Sequence, residues 1–156
     1  MNQTTVPYAM VRIVPLTFEQ ADRAVRDALQ REGFGILTEA DVAATLTKKL
    51  NVDIGSYEIL GACLPSLAYQ GLQSEPDLGL LLPCNLVVRT GDRAGECVVE
   101  ALDPVVQLGV SPNQALRPLA EQVRERIERV LDDVASKSER LNEPSPGSRS
   151  TMQAEA

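Results

Sequence analysis

The chain contains no histidine and no tryptophan, and aromatic residues make up only 3% of its 156 positions. Without histidine, the Ser–His and Cys–His pairs that activate a nucleophile cannot be assembled. The commonest nitrogen ligand of structural zinc is missing as well. With so few aromatics, a core has to be built from Val, Leu, Ile and Ala. Cysteine is scarce: Cys63, Cys84 and Cys97 are too few and too unevenly spaced for a disulfide framework, and they fit reduced thiols in a cytosol. Glycine never falls into a phosphate-cradling pattern. Gly33 and Gly35 belong to neither G-x-x-x-x-G-K nor G-x-G-x-x-G. Positive charge is also short, 15 Lys and Arg against 22 Asp and Glu, for a net charge of -7. That balance argues against binding a nucleic-acid backbone, which needs clustered cations. The N-terminal MNQTTVPYAMVRIV has no basic region followed by an apolar run, so it does not read as a secretory signal. The longest apolar run, Leu78 to Val88, is too short to span a bilayer and contains Pro83 and Asn85. The expectation is a soluble cytoplasmic protein that binds neither nucleic acid nor membrane.

What is present is a globular composition, 44% hydrophobic and 24% charged, on a chain long enough for one core. Tyr8 to Val14 alternates as a strand, with Ala9, Val11 and Ile13 on one face and Arg12 on the other. Thr17 and Gln20 form a capping box, and Phe18, Ala21, Val25, Ala28 and Leu29 recur at helical spacing up to a stop at Gly33. Phe34 to Thr38 is a short strand. A second cap at Thr38–Asp41 opens a helix striped by Val42, Leu46 and Leu50, with Lys48 and Lys49 near its C-terminal end. Tyr57 to Leu64 reads as a strand, and Pro65 as the first turn of a helix that Glu75–Pro76–Asp77 ends. Leu80 to Arg89 is the most apolar strand, Gly91–Gly95 a hairpin turn, and Glu96 to Leu102 the returning strand. A turn over Val105–Gly109 precedes a long helix started by Ser111–Pro112. Its stripe runs from Leu116 through Val123, Ile127 and Leu131 to Val134.

This order predicts an α+β fold: a mostly antiparallel sheet with helices packed on one face and a long C-terminal helix. One domain is expected over residues 1–135, with a disordered polar tail over 136–156. If strand 80–89 is apolar on both sides, the second face also needs cover, which points to a homodimer.

The segments GFGILTEADVAATL (33–46), YEILGACLPSLAYQGL (57–72) and EPDLGLLLPCNLVV (75–88) resemble the domain of unknown function 302 family. The resemblance extends over roughly Val11 to Val134. It implies a small α+β domain, usually dimeric, found in bacteria and archaea. No biochemical role is attached to that family, so no catalytic residues carry over. The chain departs from the family at Leu64 and Ser66, where a polar–proline pattern often follows the cysteine.

Candidate site residues come from the two cysteine-bearing apolar segments. Cys63 stands before a helix whose first turn holds Pro65, a place where free N–H groups favour a thiolate. If strands 57–64 and 80–89 are antiparallel neighbours, Cys63 and Cys84 approach one rim of the sheet. The plain alternative is that both are small buried hydrophobes. Asn85, in an apolar strand, either fixes a backbone or faces a ligand. Glu39 is a cap or an acid–base group, and Tyr69 a pocket wall. The first functional reading is a homodimeric domain that binds a small apolar or thiol-reactive molecule near Cys63, Cys84, Asn85, Glu39 and Tyr69. The alternatives are a thiol-dependent redox protein or enzyme using Cys63, or soft-metal binding by Cys63 and Cys84. No catalytic residue, metal centre or cofactor is assigned.

Overall fold

The computed structural model describes residues 6–144. Residues 1–5, and the part of the expected polar tail from 145 to 156, lie outside the described residues. The elements are β1 (Ala9–Val14), α1 (Phe18–Arg31), β2 (Gly35–Asp41), α2 (Val42–Leu50) and β3 (Tyr57–Cys63), followed by α3 (Pro65–Ser74) and a 3-10 segment (Pro76–Leu81). Then come β4 (Cys84–Thr90), β5 (Cys97–Leu102), α4 (Pro104–Leu108) and α5 (Leu116–Asn142). The strands form one antiparallel sheet in the order β1-β5-β4-β3-β2. The expected α+β class, antiparallel sheet and long C-terminal helix are all present.

Local chemistry fixes α1 at both ends. Thr17 accepts from the Gln20 amide while the Gln20 side chain accepts from the Thr17 amide, the reciprocal cap read from the sequence. At the far end Gly33 takes φ +86, its N–H bonds Gln30 O, and the Phe34 N–H bonds Leu29 O. This Schellman closure needs a residue that accepts the left-handed region. Ala21, Ala24, Val25, Ala28 and Leu29 then face the sheet. Helix α5 lies beside α1 and contributes Val123, Ile127, Val130, Leu131 and Val134. Both press on one sheet face, made of Met10 and Val14, Leu60 and Ala62, Leu86 and Val88, and Cys97, Val99 and Ala101.

The other sheet face carries Val11 and Ile13, Ile59 and Gly61, Asn85, Val87 and Arg89, and Val98 and Glu100. Arg12 projects to the covered side, where its guanidinium meets Asp132 of α5 at 2.7 Å. Alternation along β1 was legible; which of its faces the helices choose was not.

Four boundaries differ from the sequence reading. The apolar segment does not enter the sheet until Cys84, because Pro76–Leu81 coils into the 3-10 turn and Pro83 has no N–H for a ladder. Strand β2 runs on to Asp41, whose carboxylate caps α2 by accepting from the Ala44 amide at 2.8 Å; Thr38 to Ala40 are strand, not cap. The final helix starts at Leu116, after an Asn113 turn in which the Asn113 side chain accepts from the Ala115 amide. It also continues past Ala135 to Asn142, since Ser138 is buried and its hydroxyl bonds back to Ala135 O at 2.6 Å. Residues 136–142 therefore belong to the folded unit.

Candidate functional site

The register Ala62↔Cys84 places the end of β3 beside the start of β4. Antiparallel pairing thus brings the two cysteine-bearing ends to one rim. Cys63 and Cys84 both line an apolar cavity of about 30 Å³. Its roof is α3 and the 3-10 segment, through Leu67, Gly71 and Leu78, and its floor includes Leu119 and Val123 of α5. Helix α3 needs Gly71 here: a Cβ at that position would come within 2.5 Å of Leu78 Cδ2. Helix α4 closes one side, because Gln107 donates from Nε2 to Leu81 O and to Pro83 O at 3.0 Å. The Gln107 Oε1 is buried without a hydrogen-bond partner among the described residues.

The electrostatics of the thiols run opposite to the thiolate expectation. Burial pushes the Cys63 thiol up. Burial, followed by the neighbouring Cys63, pushes Cys84 up to about 11. The start of α3 contributes little to offset this: Pro65 has no N–H to offer, and Leu64 provides no side-chain cap. Both cysteines are free, as is Cys97, which is buried in the core opposite Thr90. Its thiol is raised by burial and then by Glu19. Two thiols fall short of the four ligands of a structural zinc site. Among the described residues no three His, Cys, Asp or Glu side chains gather as a metal site would need.

The other candidates do not join the cysteines. Asn85 is exposed and points to the opposite face from Cys84, as strand alternation requires, so the premise of a buried amide fails. Tyr69 is 63% exposed on the outer side of α3 and accepts from Gln73 Nε2 at 3.1 Å. Glu39 is ion-paired with Arg26.

That ion pair belongs to a cluster the sequence reading missed. Arg26 of α1 bonds Asp22 through Nε at 3.0 Å, Glu39 of β2 through Nη1 and Glu58 of β3 through Nη2 at 3.0 Å. Three carboxylates share one cation, so a proton is drawn in. Glu58 is raised to about 7, first by burial, then by its hydrogen bond to Asp22 and the charge of Asp22; Arg26 pulls the other way and Glu39 adds to the rise. The signal available in sequence was an ionisable residue inside the apolar run Tyr57–Cys63. The second missed feature is an open cleft of about 410 Å³ at the other end of β3 and β4, lined by Tyr57, Arg89 and Asp92 among others.

No helix among the described residues is long and apolar enough to cross a membrane. A comparison with curated proteins finds no match. Among solved structures the chain is similar to the crystal structure of an uncharacterized conserved protein DUF302 from Bacillus stearothermophilus. The two are 25% identical with a TM-score of 0.76, over 83% of this chain and 99% of that one. The family description "Domain of unknown function DUF302" matches residues 10–134. The chain belongs to the DUF302 family.

Proposed function

We propose that this domain is a cytoplasmic homodimer that holds a small apolar or thiol-reactive molecule in the cavity beneath α3. The observation that carries this reading is the convergence of Cys63 and Cys84 on a single apolar cavity. At about 30 Å³ the resting space admits only a few atoms, far below the several hundred Å³ of a preformed ligand pocket. The roof can yield, because Gly71 is the single fully buried residue of α3 and the helix has no side-chain N-cap. Three free thiols suit a reducing compartment. The uncovered sheet face, with Val11, Ile13, Ile59 and Val87 only partly buried, offers a second copy an apolar surface.

With both thiols held protonated at neutral pH, recognition by packing is favoured over nucleophilic chemistry. The test uses benzene as an apolar probe, titrated into full-length protein and followed by methyl NMR. Saturable shifts confined to Leu67, Leu78, Leu119 and Val123 are expected. A titration that leaves those methyls unmoved, or moves exposed Leu80 and Leu141 equally, overturns the reading. Sedimentation equilibrium tests the dimer independently.

A further inference from the structure

The cleft at the opposite end of β3 and β4 has a charge pattern that the cysteine cavity lacks. One wall is the loop leading into β3, and it is clamped to the end of β4. The Thr90 N–H bonds Ser56 O at 3.0 Å, and Thr90 Oγ1 accepts from the Ser56 N–H at 3.0 Å. Gly55 makes this approach possible. It sits at φ +76, and a Cβ there would lie 3.2 Å from Thr90 Oγ1. Asp53 tightens the turn by accepting from the Gly55 N–H at 2.8 Å. The wall is therefore fixed before any ligand arrives.

The floor is a cross-strand pair, Tyr57 opposite Arg89, both on the uncovered face. Arg89 is held by Glu100 through Nε alone, at 3.2 Å. Its two Nη groups make no hydrogen bond among the described residues, and the Arg89 side chain as a whole is only 30% exposed. A planar fork anchored at one nitrogen and free at the other two is shaped for a carboxylate. Asp92 lines the same cleft and is not ion-paired with Arg89. Ile54 and the Tyr57 ring supply an apolar side.

We propose that this cleft binds a free α-amino acid or a closely similar small zwitterion. Its carboxylate would be taken by Arg89 and its ammonium by Asp92, with the side chain against Ile54 and Tyr57. A simple anion fits less well: Glu100 already neutralises much of Arg89, Asp92 repels anions, and the whole chain carries -7. The volume, about 410 Å³, lies in the range of small-molecule sites and leaves room for bridging water. The cleft and the cysteine cavity share no lining residue, so this proposal stands or falls without ligand binding in that cavity.

The test is calorimetric titration of the full-length protein with each of the twenty standard amino acids. The best binder is then repeated as its N-acetyl and its carboxamide derivatives, and inorganic phosphate serves as the plain-anion probe. At least one amino acid is expected to bind with millimolar affinity or better. Removing either charge from the ligand, or making Arg89→Gln or Asp92→Asn, is expected to weaken it by about tenfold or more. Asp92 lies in an exposed turn, so the second variant keeps the test alive if Arg89→Gln disturbs the sheet. No binding by any amino acid overturns the proposal. So does binding indifferent to N-acetylation and to Asp92→Asn, or phosphate binding as tightly as the best amino acid.

Discussion

The two faces of the sheet are written by alternate residues of the same five strands, and they have opposite fates. On the side under α1 and α5, Leu60, Leu86, Val88 and Val99 have no accessible surface. On the other side Val98 is fully buried, but Ile13 is 44% exposed, Asn85 is open to water, and Val11, Ile59 and Val87 are only partly covered. Yet the uncovered face is not polar. The doublets Val87–Val88 and Val98–Val99 put an apolar residue on each side of the neighbouring strands β4 and β5, and the ion pair Arg89–Glu100 is a polar exception among them. A sheet with one solvated face ordinarily reads as a clean alternation of apolar and polar residues. Here the chain satisfies one face by itself and leaves the other in want of cover, which is the physical content of the dimer proposal.

The largest expected effect breaks the covered face. Leu86→Ala removes a fully buried side chain from the centre of the core, and a loss of ~2–5 kcal/mol in unfolding free energy is expected by urea denaturation. Val87→Ala, one residue along, should cost well under half as much in the same experiment. Equal costs would mean that the two faces do not differ in the way described.

Gly61→Ala comes next, and it sharpens the comparison by finding a tight place on the loose side. A Cβ at Gly61 would run into the Thr38 hydroxyl and lie 2.6 Å from Pro83 Cγ. Overpacking of this kind costs ~1–3 kcal/mol. Because one obstacle is the Thr38 oxygen, the Thr38→Ala/Gly61→Ala double variant should recover part of the loss. A double variant no more stable than Gly61→Ala would show that Pro83 alone sets the limit.

At the margin of the covered face the leucines give way to charge, and here pH is the lever. Glu58 titrates at about 7 in the folded chain, above its ordinary value of 4.5. Between those two values the native state keeps a proton that the unfolded chain has released. The contribution is therefore complete below the unfolded value and fades as pH rises through about 7. Thermal midpoints should fall over that window for the wild type. Glu58→Gln, which keeps an acceptor for Arg26 without the charge, should flatten the fall. An unchanged pH profile in the variant would assign the proton to another member of the cluster.

Much of this was legible because local rules fix it. The Thr17–Gln20 box, the Gly33 stop, the stripe Val123–Ile127–Leu131–Val134 and the hairpin at Gly91–Gly95 each follow from a few residues. The meeting of Cys63 with Cys84 followed from one choice, antiparallel rather than parallel. What escaped needed register between distant segments. Asn85 alternates with Cys84, so one of them had to face away from the core, but nothing in the run CNLVV says which. The Arg26 cluster joins positions 22, 39 and 58, and the Arg89 cleft joins 54, 57, 89 and 92; each is visible only once strand neighbours are known. The thiol shift has the opposite sign to the one a helix start alone implies, because burial outweighs it.

The smallest expected change in fold stability should come with the clearest change in assembly. Ile13 lies on the uncovered face, across from Val98 in the β1–β5 pairing, and is already 44% exposed. Ile13→Lys therefore removes little packing inside the chain, and a substitution at such a surface position shifts monomer stability by about 0.5 kcal/mol or less. In a two-fold dimer built on this face the same lysine enters the interface twice, once from each copy. Two desolvated charges then oppose association. The wild type should sediment as a dimer with a thermal midpoint that rises with protein concentration, and the variant as a monomer whose midpoint does not. If both chains sediment as dimers, the interface lies elsewhere than on this face.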